Sequence, residues 1–306
     1  CVGISRGFAW LALGLLAGCG GSSTGTNAPP TASPAPPPTN EVPIISEALS
    51  CIDTPAANVG GNGDFHKVTL NSPSAMCNDG SPAVLYVRGA DTIAGSGNWN
   101  LHFQGGAACV GPDCAQRWCD LSGRMSSLST PPQSGFGGFL GRDDANLRDD
   151  ANQVFFYCCS SDTYSGTRAD VTIDATDDNP EYRLHFLGHE IVETALNDLQ
   201  QGITSDDGRV TLPALGGTGL VTISGTSAGC VGVANNADRI AQRVKALGHE
   251  TAVICDGSFG PDLPFLPDSG NRDNFVDLRS QFSALRQANQ SPVLDETYAD
   301  SLVTDI

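Results

Sequence analysis

Positive charge is scarce in this chain. Only 16 Lys and Arg stand against 34 Asp and Glu, a net charge of −18 over 306 residues, and they gather into no basic cluster. A surface of that sign repels phosphate backbones, so nucleic acid is not expected as a partner, and the acidic residues read as a solvated, solubilising surface. A membrane-length apolar run is also lacking, since the stretch from Phe8 to Ala17 is too short for a permanent transmembrane helix. Internal repeats are absent. The 11 cysteines do not fall into repeated C-x-x-C pairs, which excludes the usual zinc-ribbon reading. No metal or organic cofactor is expected. Histidine is the last shortage: of the five, none follows His249.

What is present points first to export. Eleven cysteines suit an oxidising compartment with several disulfides. Arg6 precedes the apolar run, and the run ends in Leu16-Ala17-Gly18-Cys19, which resembles a bacterial lipobox with Cys19 as the lipidated first residue of the mature protein. Gly20 follows, which by the same resemblance leans toward outer-membrane sorting. Residues 20–45 are rich in Gly, Ser, Thr and Pro and read as a spacer that cannot pack a core. The expected organisation is an export signal over 1–19, a tether over 20–45 and one catalytic domain over 46–306, exported and membrane-anchored through Cys19 or secreted.

Within that domain, strand and helix patterns alternate. Ala83–Gly89, Asn98–Gly106, Gln153–Cys159, Leu220–Gly225 and Thr251–Gly257 are β-branched or aromatic runs bounded by turn residues. Helical periodicity marks Glu181–Gly202, through Leu187, Ile191, Ala195 and Leu199, then Ala228–Leu247 and Asn271–Gln287. The stretch from Ser122 to Asn152 has no clear period and reads as an insertion or lid-like loop with a short helix near its end. Alternation of this kind predicts an α/β fold, α/β-hydrolase-like, with a mostly parallel central sheet and helices on both faces.

The chemistry concentrates at Gly225-Thr226-Ser227-Ala228-Gly229, placed between a strand and a helix. That context is a nucleophile elbow, in which a strained turn projects a serine Oγ above the sheet and small neighbours let the backbones approach. Ala228, opening the helix, would offer its N–H to an oxyanion. Leu101 to Cys109, "LHFQGGAAC", runs an early strand into two glycines, the place from which a second oxyanion donor comes in such hydrolases.

These two segments, together with "CNDGSPAVLYV" at Cys77–Val87 and "YCCSSDTYSG" at Tyr157–Gly166, resemble the pectin acetylesterase and Notum family of carboxylesterases over residues 76 to 306. The resemblance implies Ser227 as nucleophile and Gly106, Ala107 and Ala228 as oxyanion donors. It implies disulfides joining Cys77 to Cys159 and Cys109 to Cys114, and leaves Cys51, Cys119, Cys158, Cys230 and Cys255 unassigned. Ala107-Ala108 stand where animal members carry bulky aromatics. Asp300, after Pro292-Val293-Leu294, is the expected acid that orients the base. Asp256 is the runner-up, read as a buried structural acid.

The base itself has no candidate. In this architecture the histidine follows the acid, and His66, His102, His185, His189 and His249 all precede Asp300. His185 and His189 are read on a helix, and His102 as a possible substrate contact beside the site. The expectation is that the chain stops before its catalytic histidine, and the lack of Met at position 1 likewise suggests a fragment. The expected activity is hydrolysis of an O-acyl ester, acetyl on a polysaccharide such as pectin, through an acyl-enzyme. A non-catalytic carbohydrate-binding lipoprotein on the same fold, or a serine peptidase or thioesterase, stays open.

Overall fold

The computed structural model describes residues 41–51, 63–93, 95–141 and 150–257. In chain order the first elements are α1 (Ile45–Ala48), β1 (Phe65–Thr69), β2 (Val84–Arg88), β3 (Trp99–Phe103), α2 (Asp113–Leu121), β4 (Gln133–Ser134) and β5 (Asn152–Phe156). There follow β6 (Arg168–Ile173), β7 (Tyr182–Phe186), α3 (Gly188–Gln201), β8 (Ile203–Thr204), β9 (Thr211–Leu212), β10 (Leu220–Thr226), α4 (Ala228–Ala246) and β11 (Glu250–Asp256).

The central sheet has the order β11-β10-β3-β5-β2-β1-β4. From β11 to β5 the neighbours are parallel, while β2, β1 and β4 join antiparallel. Two reversals bring β1 back into line with the parallel set, so most strands share one direction. All five residues of β2, β3 and β5 are buried, the signature of strands covered on both faces. Trp99, Leu101, Phe103, Val154 and Phe156 join one core with Ile191, Val192, Ala195, Leu196 and Leu199 of α3 and Val233, Ile240 and Val244 of α4. The two helices also touch each other, Arg239 meeting the His189 ring at 2.8 Å and Arg243 reaching Glu193 at 3.4 Å. A second core gathers Ile45, Trp118, Met125, Tyr182, Leu184 and Phe186 around α1, α2 and the β6–β7 hairpin.

Two expectations change. The helix expected over 181–202 starts only at Gly188, because Tyr182, Leu184 and Phe186 are buried at a period of two and pair antiparallel with β6. His185 therefore lies on a strand, where its Nδ1 accepts the N–H of Asp170 at 3.1 Å. The stretch from 122 to 141 is not a lid. Its β4 pairs with β1, and Phe136 stacks on Phe155 at 3.9 Å and meets Phe65 edge-on at 4.9 Å, so it lines the sheet face opposite α3 and α4. The helix expected near 143–152 lies outside the described residues over 143–149, while Asp150 and Ala151 lead non-helically into Asn152, which opens β5, and the helix expected over 271–287 lies outside the described residues.

One turn ties the layers together. Ser161, Thr163 and Tyr164 all adopt positive φ, at 52°, 52° and 61°, around a fully buried Asp162. Its carboxylate accepts the Ser160 hydroxyl at 2.6 Å and the N–H groups of Tyr164, Gly166 and Gly188 at 3.0, 3.1 and 2.7 Å. A Cβ on Gly188 would lie 2.1 Å from Asp162 Oδ1, which explains the glycine that opens α3. Burial pushes the Asp162 carboxyl up, against donors that favour its anion. Asp162→Ala would strand three buried N–H groups at once, and urea titration should show a loss of at least about 3 kcal/mol of stability.

Candidate active site

β10 ends at Thr226 and α4 begins at Ala228, with Ser227 between them at φ 56° and ψ −124°. A side chain rarely tolerates that conformation, which costs of order 1–3 kcal/mol and persists only where the surroundings enforce it. Here they do. A Cβ on Gly225 would sit 2.3 Å from the Gly229 carbonyl oxygen, and one on Gly229 would sit 2.0 Å from that of Phe103. Both glycines of the sequence motif are thus required by backbone approach between β10, α4 and β3. The Ser227 N–H donates to the Asp256 carbonyl at 2.9 Å, and the Cys230–Cys255 disulfide bolts the first turn of α4 to β11. Ser227 itself is exposed.

Beside it runs the loop that leaves β3. A Cβ on Gly105 would lie 2.2 Å from the Thr226 carbonyl oxygen and 3.1 Å from Ser227 Cβ, so loop and elbow are in backbone contact. Gly106 and Ala107 turn at φ 155° and 58°. Arg124 Nη1 donates to the Gly105 carbonyl at 2.8 Å. Further along, Cys109–Cys114 closes the loop, and the Cys109 N–H donates to the Ser161 carbonyl at 3.1 Å. From below, the Tyr164 hydroxyl lies within hydrogen-bond reach of the carbonyls of Gln104 and Phe156, at 3.2 and 2.9 Å. The structure therefore sets Gly105 against the elbow, with Gly106 and Ala107 next in the chain, and the positive dipole end of α4, opened by Ala228, lies at the same turn.

Cys77–Cys159 is also formed, as are Cys51–Cys119 and Cys230–Cys255, while Cys158 is a buried free thiol. Spacing alone could not choose among these partners. Asp300 and Cys19 lie outside the described residues. Asp256, the last residue of β11, is exposed rather than buried among the described residues. Arg124 and the Asp162 turn are the contributors that sequence reasoning missed; the run of polar residues after Cys159 was the available signal for the turn, and nothing local marks Arg124. Among the described residues, no group of three or more His, Cys, Asp or Glu is placed to hold a metal ion.

Each histidine is engaged away from Ser227 or distant from it. His102 on β3 is buried between Phe155 and Phe139, with Nδ1 2.9 Å from Ser224 Oγ, which donates to Asn100 Oδ1 at 2.8 Å. The hydroxyl proton is thereby committed to Asn100, which leaves Nδ1 as the donor and the ring neutral. Burial pushes its pKa down to about 4 despite the charge of Asp256. His66 pairs with Asp207 at 2.8 Å, and His189 with Arg239. His249 precedes β11, a seven-residue strand, and so lies roughly 20 Å from the strand end that holds the elbow.

Residues 62–261 match the family model described as pectinacetylesterase. The chain belongs to the pectinacetylesterase family. Similar curated proteins include the palmitoleoyl-protein carboxylesterase Notum of Mus musculus, 31% identical over 63% of this chain and 35% of that protein. That of Drosophila melanogaster is 33% identical over 60% of this chain and 26% of that protein. The chain thus spans about a third or less of the length of these relatives. Among solved structures, the Wnt deacylase Notum from Drosophila superposes with a TM-score of 0.57 at 26% identity, covering 78% of this chain and 64% of that one. A pectinacetylesterase-type α/β sheet therefore carries the elbow and the glycine loop together.

Two measurements test this geometry. Ser227→Gly removes the strained side chain, whereas Ser227→Ala keeps a Cβ, so chemical denaturation should find the glycine variant more stable by about 1 kcal/mol. The folded pKa of His102 and of His189 lies near 4, below the unfolded value of about 6.5. Between those limits the unfolded chain binds protons that the folded one does not, so stability falls as pH drops from 6.5 to 4. His102→Gln should flatten part of that slope in denaturation curves recorded across this window.

Proposed function

We propose that this protein is a serine carboxylesterase in which Ser227 is the nucleophile. The observation that carries the reading is the strained Ser227, held exposed at a glycine-enforced elbow with the Gly105 backbone packed directly against it. Ser227 Oγ would attack the ester carbonyl. The tetrahedral oxyanion would rest on the N–H groups of Gly106, Ala107 and Ala228, the alcohol would leave with a proton, and water would then release the acyl group from the serine. Such donors are preorganised dipoles, and each is worth about 10²–10³ in rate at comparable sites.

The Ser227 proton needs an acceptor, a histidine to which no residue of this sequence is assigned, and Asp300 is the proposed acid that would orient it. The substrate class follows from the family name and from the small side chains of Ala107 and Ala108: an O-acetyl ester on a polysaccharide such as pectin. The disulfides support an exported protein, and Cys19 with the tether over 20–45 supports a lipid anchor in the bacterial outer membrane.

The full-length protein is expected to hydrolyse p-nitrophenyl acetate and to release acetate from acetylated pectin. Ser227→Ala should lower kcat by at least about 10³-fold without loss of folded structure. Undiminished turnover in that variant rejects the nucleophile. The alternative reading is a non-catalytic carbohydrate-binding protein on the same fold. Saturable binding of acetylated pectin, with no turnover by the wild type, would establish it instead.

A further inference from the structure

The oxyanion loop is held by a side chain outside the elbow, and we propose that Arg124 is the positioning residue that sets its donors. Arg124 follows α2 in a 3₁₀ turn, and α2 is fastened at both ends by disulfides, Cys109–Cys114 at its start and Cys51–Cys119 near its end. From this fixed base Nη1 donates to the Gly105 carbonyl at 2.8 Å. A peptide unit is planar and trans, so its N–H points opposite to its C=O. Fixing the Gly105 carbonyl on Arg124 therefore fixes the direction of the Gly106 N–H, away from the guanidinium.

Gly106 supplies the second observation. A Cβ there would fall 2.0 Å from Arg124 Nη1 and 3.1 Å from its Cδ, so the guanidinium packs flat against the loop. The glycine admits the arginine, and the arginine restricts a residue that would otherwise rotate freely. On its other side the loop abuts the elbow, where a Cβ on Gly105 would end 3.1 Å from Ser227 Cβ. Arg124 thus acts through the backbone. It contributes by keeping the Gly106–Ala107 donors in the geometry that a tetrahedral oxyanion needs. Its charge adds to the same end, because a cation on the carbonyl polarises the peptide and strengthens the N–H as a donor.

This inference rests on the serine-esterase reading, so Ser227→Ala is carried alongside as the control. Arg124→Met is expected to lower kcat for p-nitrophenyl acetate about 10²-fold with KM changed less than twofold, the loss of one oxyanion donor. Phosphonylation of Ser227 by a p-nitrophenyl alkylphosphonate, which builds the same tetrahedral anion, should slow by a similar factor. Arg124→Lys, able to reach the carbonyl with one N–H, should recover part of both rates, and methylguanidinium should partly restore Arg124→Ala. A merely structural role would lower the amount of folded enzyme and leave kcat per phosphonate-titrated serine unchanged. That result, or kcat within threefold of wild type in Arg124→Met, overturns the proposal while an inactive Ser227→Ala leaves the nucleophile standing. An active Ser227→Ala overturns both.

Discussion

Everything at the site depends on how closely three backbones approach one another. The carbonyl of Phe103, at the end of β3, occupies the space that a side chain on Gly229 would need, and the carbonyl of Gly229 occupies the space beside Gly225. Strand β10 can therefore turn into α4 within a single residue, and that residue is Ser227. Because β3 is the parallel neighbour of β10, the chain leaving β3 has to pass the same point, and Gly105 is the residue that lets it. The exposed Ser227 turn and the glycine loop beside it are two outcomes of one steric arrangement. Parallel pairing puts the ends of β3 and β10 at one edge, and glycine at 105, 225 and 229 permits contact there.

A strained turn persists only if its supports are stiff, and the supports converge on the turn from Ser160 to Gly166. Its Tyr164 hydroxyl reaches the carbonyls of Gln104 and Phe156, below the oxyanion loop. Asn235 and Asn236 of α4 donate to the carbonyls of Thr163 and Tyr164, at 3.0 Å each. Gly232 of α4 leaves room for the Tyr164 ring, which a Cβ there would approach to 2.5 Å. Asp162 takes the first N–H of α3. Helix α4, the loop after β3 and α3 thus share one buried polar hub, and Cys77–Cys159 ties the segment that follows β5 to the connection between β1 and β2. Buried networks of this kind are either fully satisfied or expensive, and this one meets every oxygen of Asp162 with donors.

The parts legible in the sequence are those with a period or a steric motif. Strands β2, β3, β5, β10 and β11 announce themselves by β-branched and aromatic runs, all but that of β5 ending near glycine, and α4 by the elbow before it. The failures have physical causes. Tyr182–Phe186 reads as helix because Leu187 and Ile191 continue an apolar pattern backward, whereas tertiary pairing with β6 decides its conformation. The Phe136 segment carries no period because it is an irregular cover whose aromatics find Phe65, Tyr86 and Phe155 one by one. Asp256 reads as a buried acid because it ends an apolar strand, yet β11 is the edge of the described sheet and its last residue faces out. Arg124 lies 19 residues from the carbonyl it holds, a distance at which no local pattern reports contact.

The scarcity of positive charge bears on how the site can work. A protein of net charge −18 is a poor environment for a developing oxyanion if distant charges count. Screening shortens their reach to about 8 Å at physiological ionic strength, so the local field around Ser227 decides the outcome. That field comes from oriented groups: the N-terminal N–H groups of α4, the Gly106–Ala107 peptide units, and Arg124 behind them. Asp256, at the adjoining strand end, is an opposing group. Its backbone carbonyl is already taken by the Ser227 N–H, and its side chain lies in water, where high dielectric weakens its repulsion. His102 is kept neutral by burial, so it adds no charge of either sign near neutral pH. On the proposed reading, anion stabilisation falls to fixed dipoles backed by the Arg124 cation, and dipoles act only at short range and in one direction. Their value depends on placement to within a few tenths of an ångström, which is why the strain at Ser227 and the contacts that enforce it belong to the chemistry as much as the serine does.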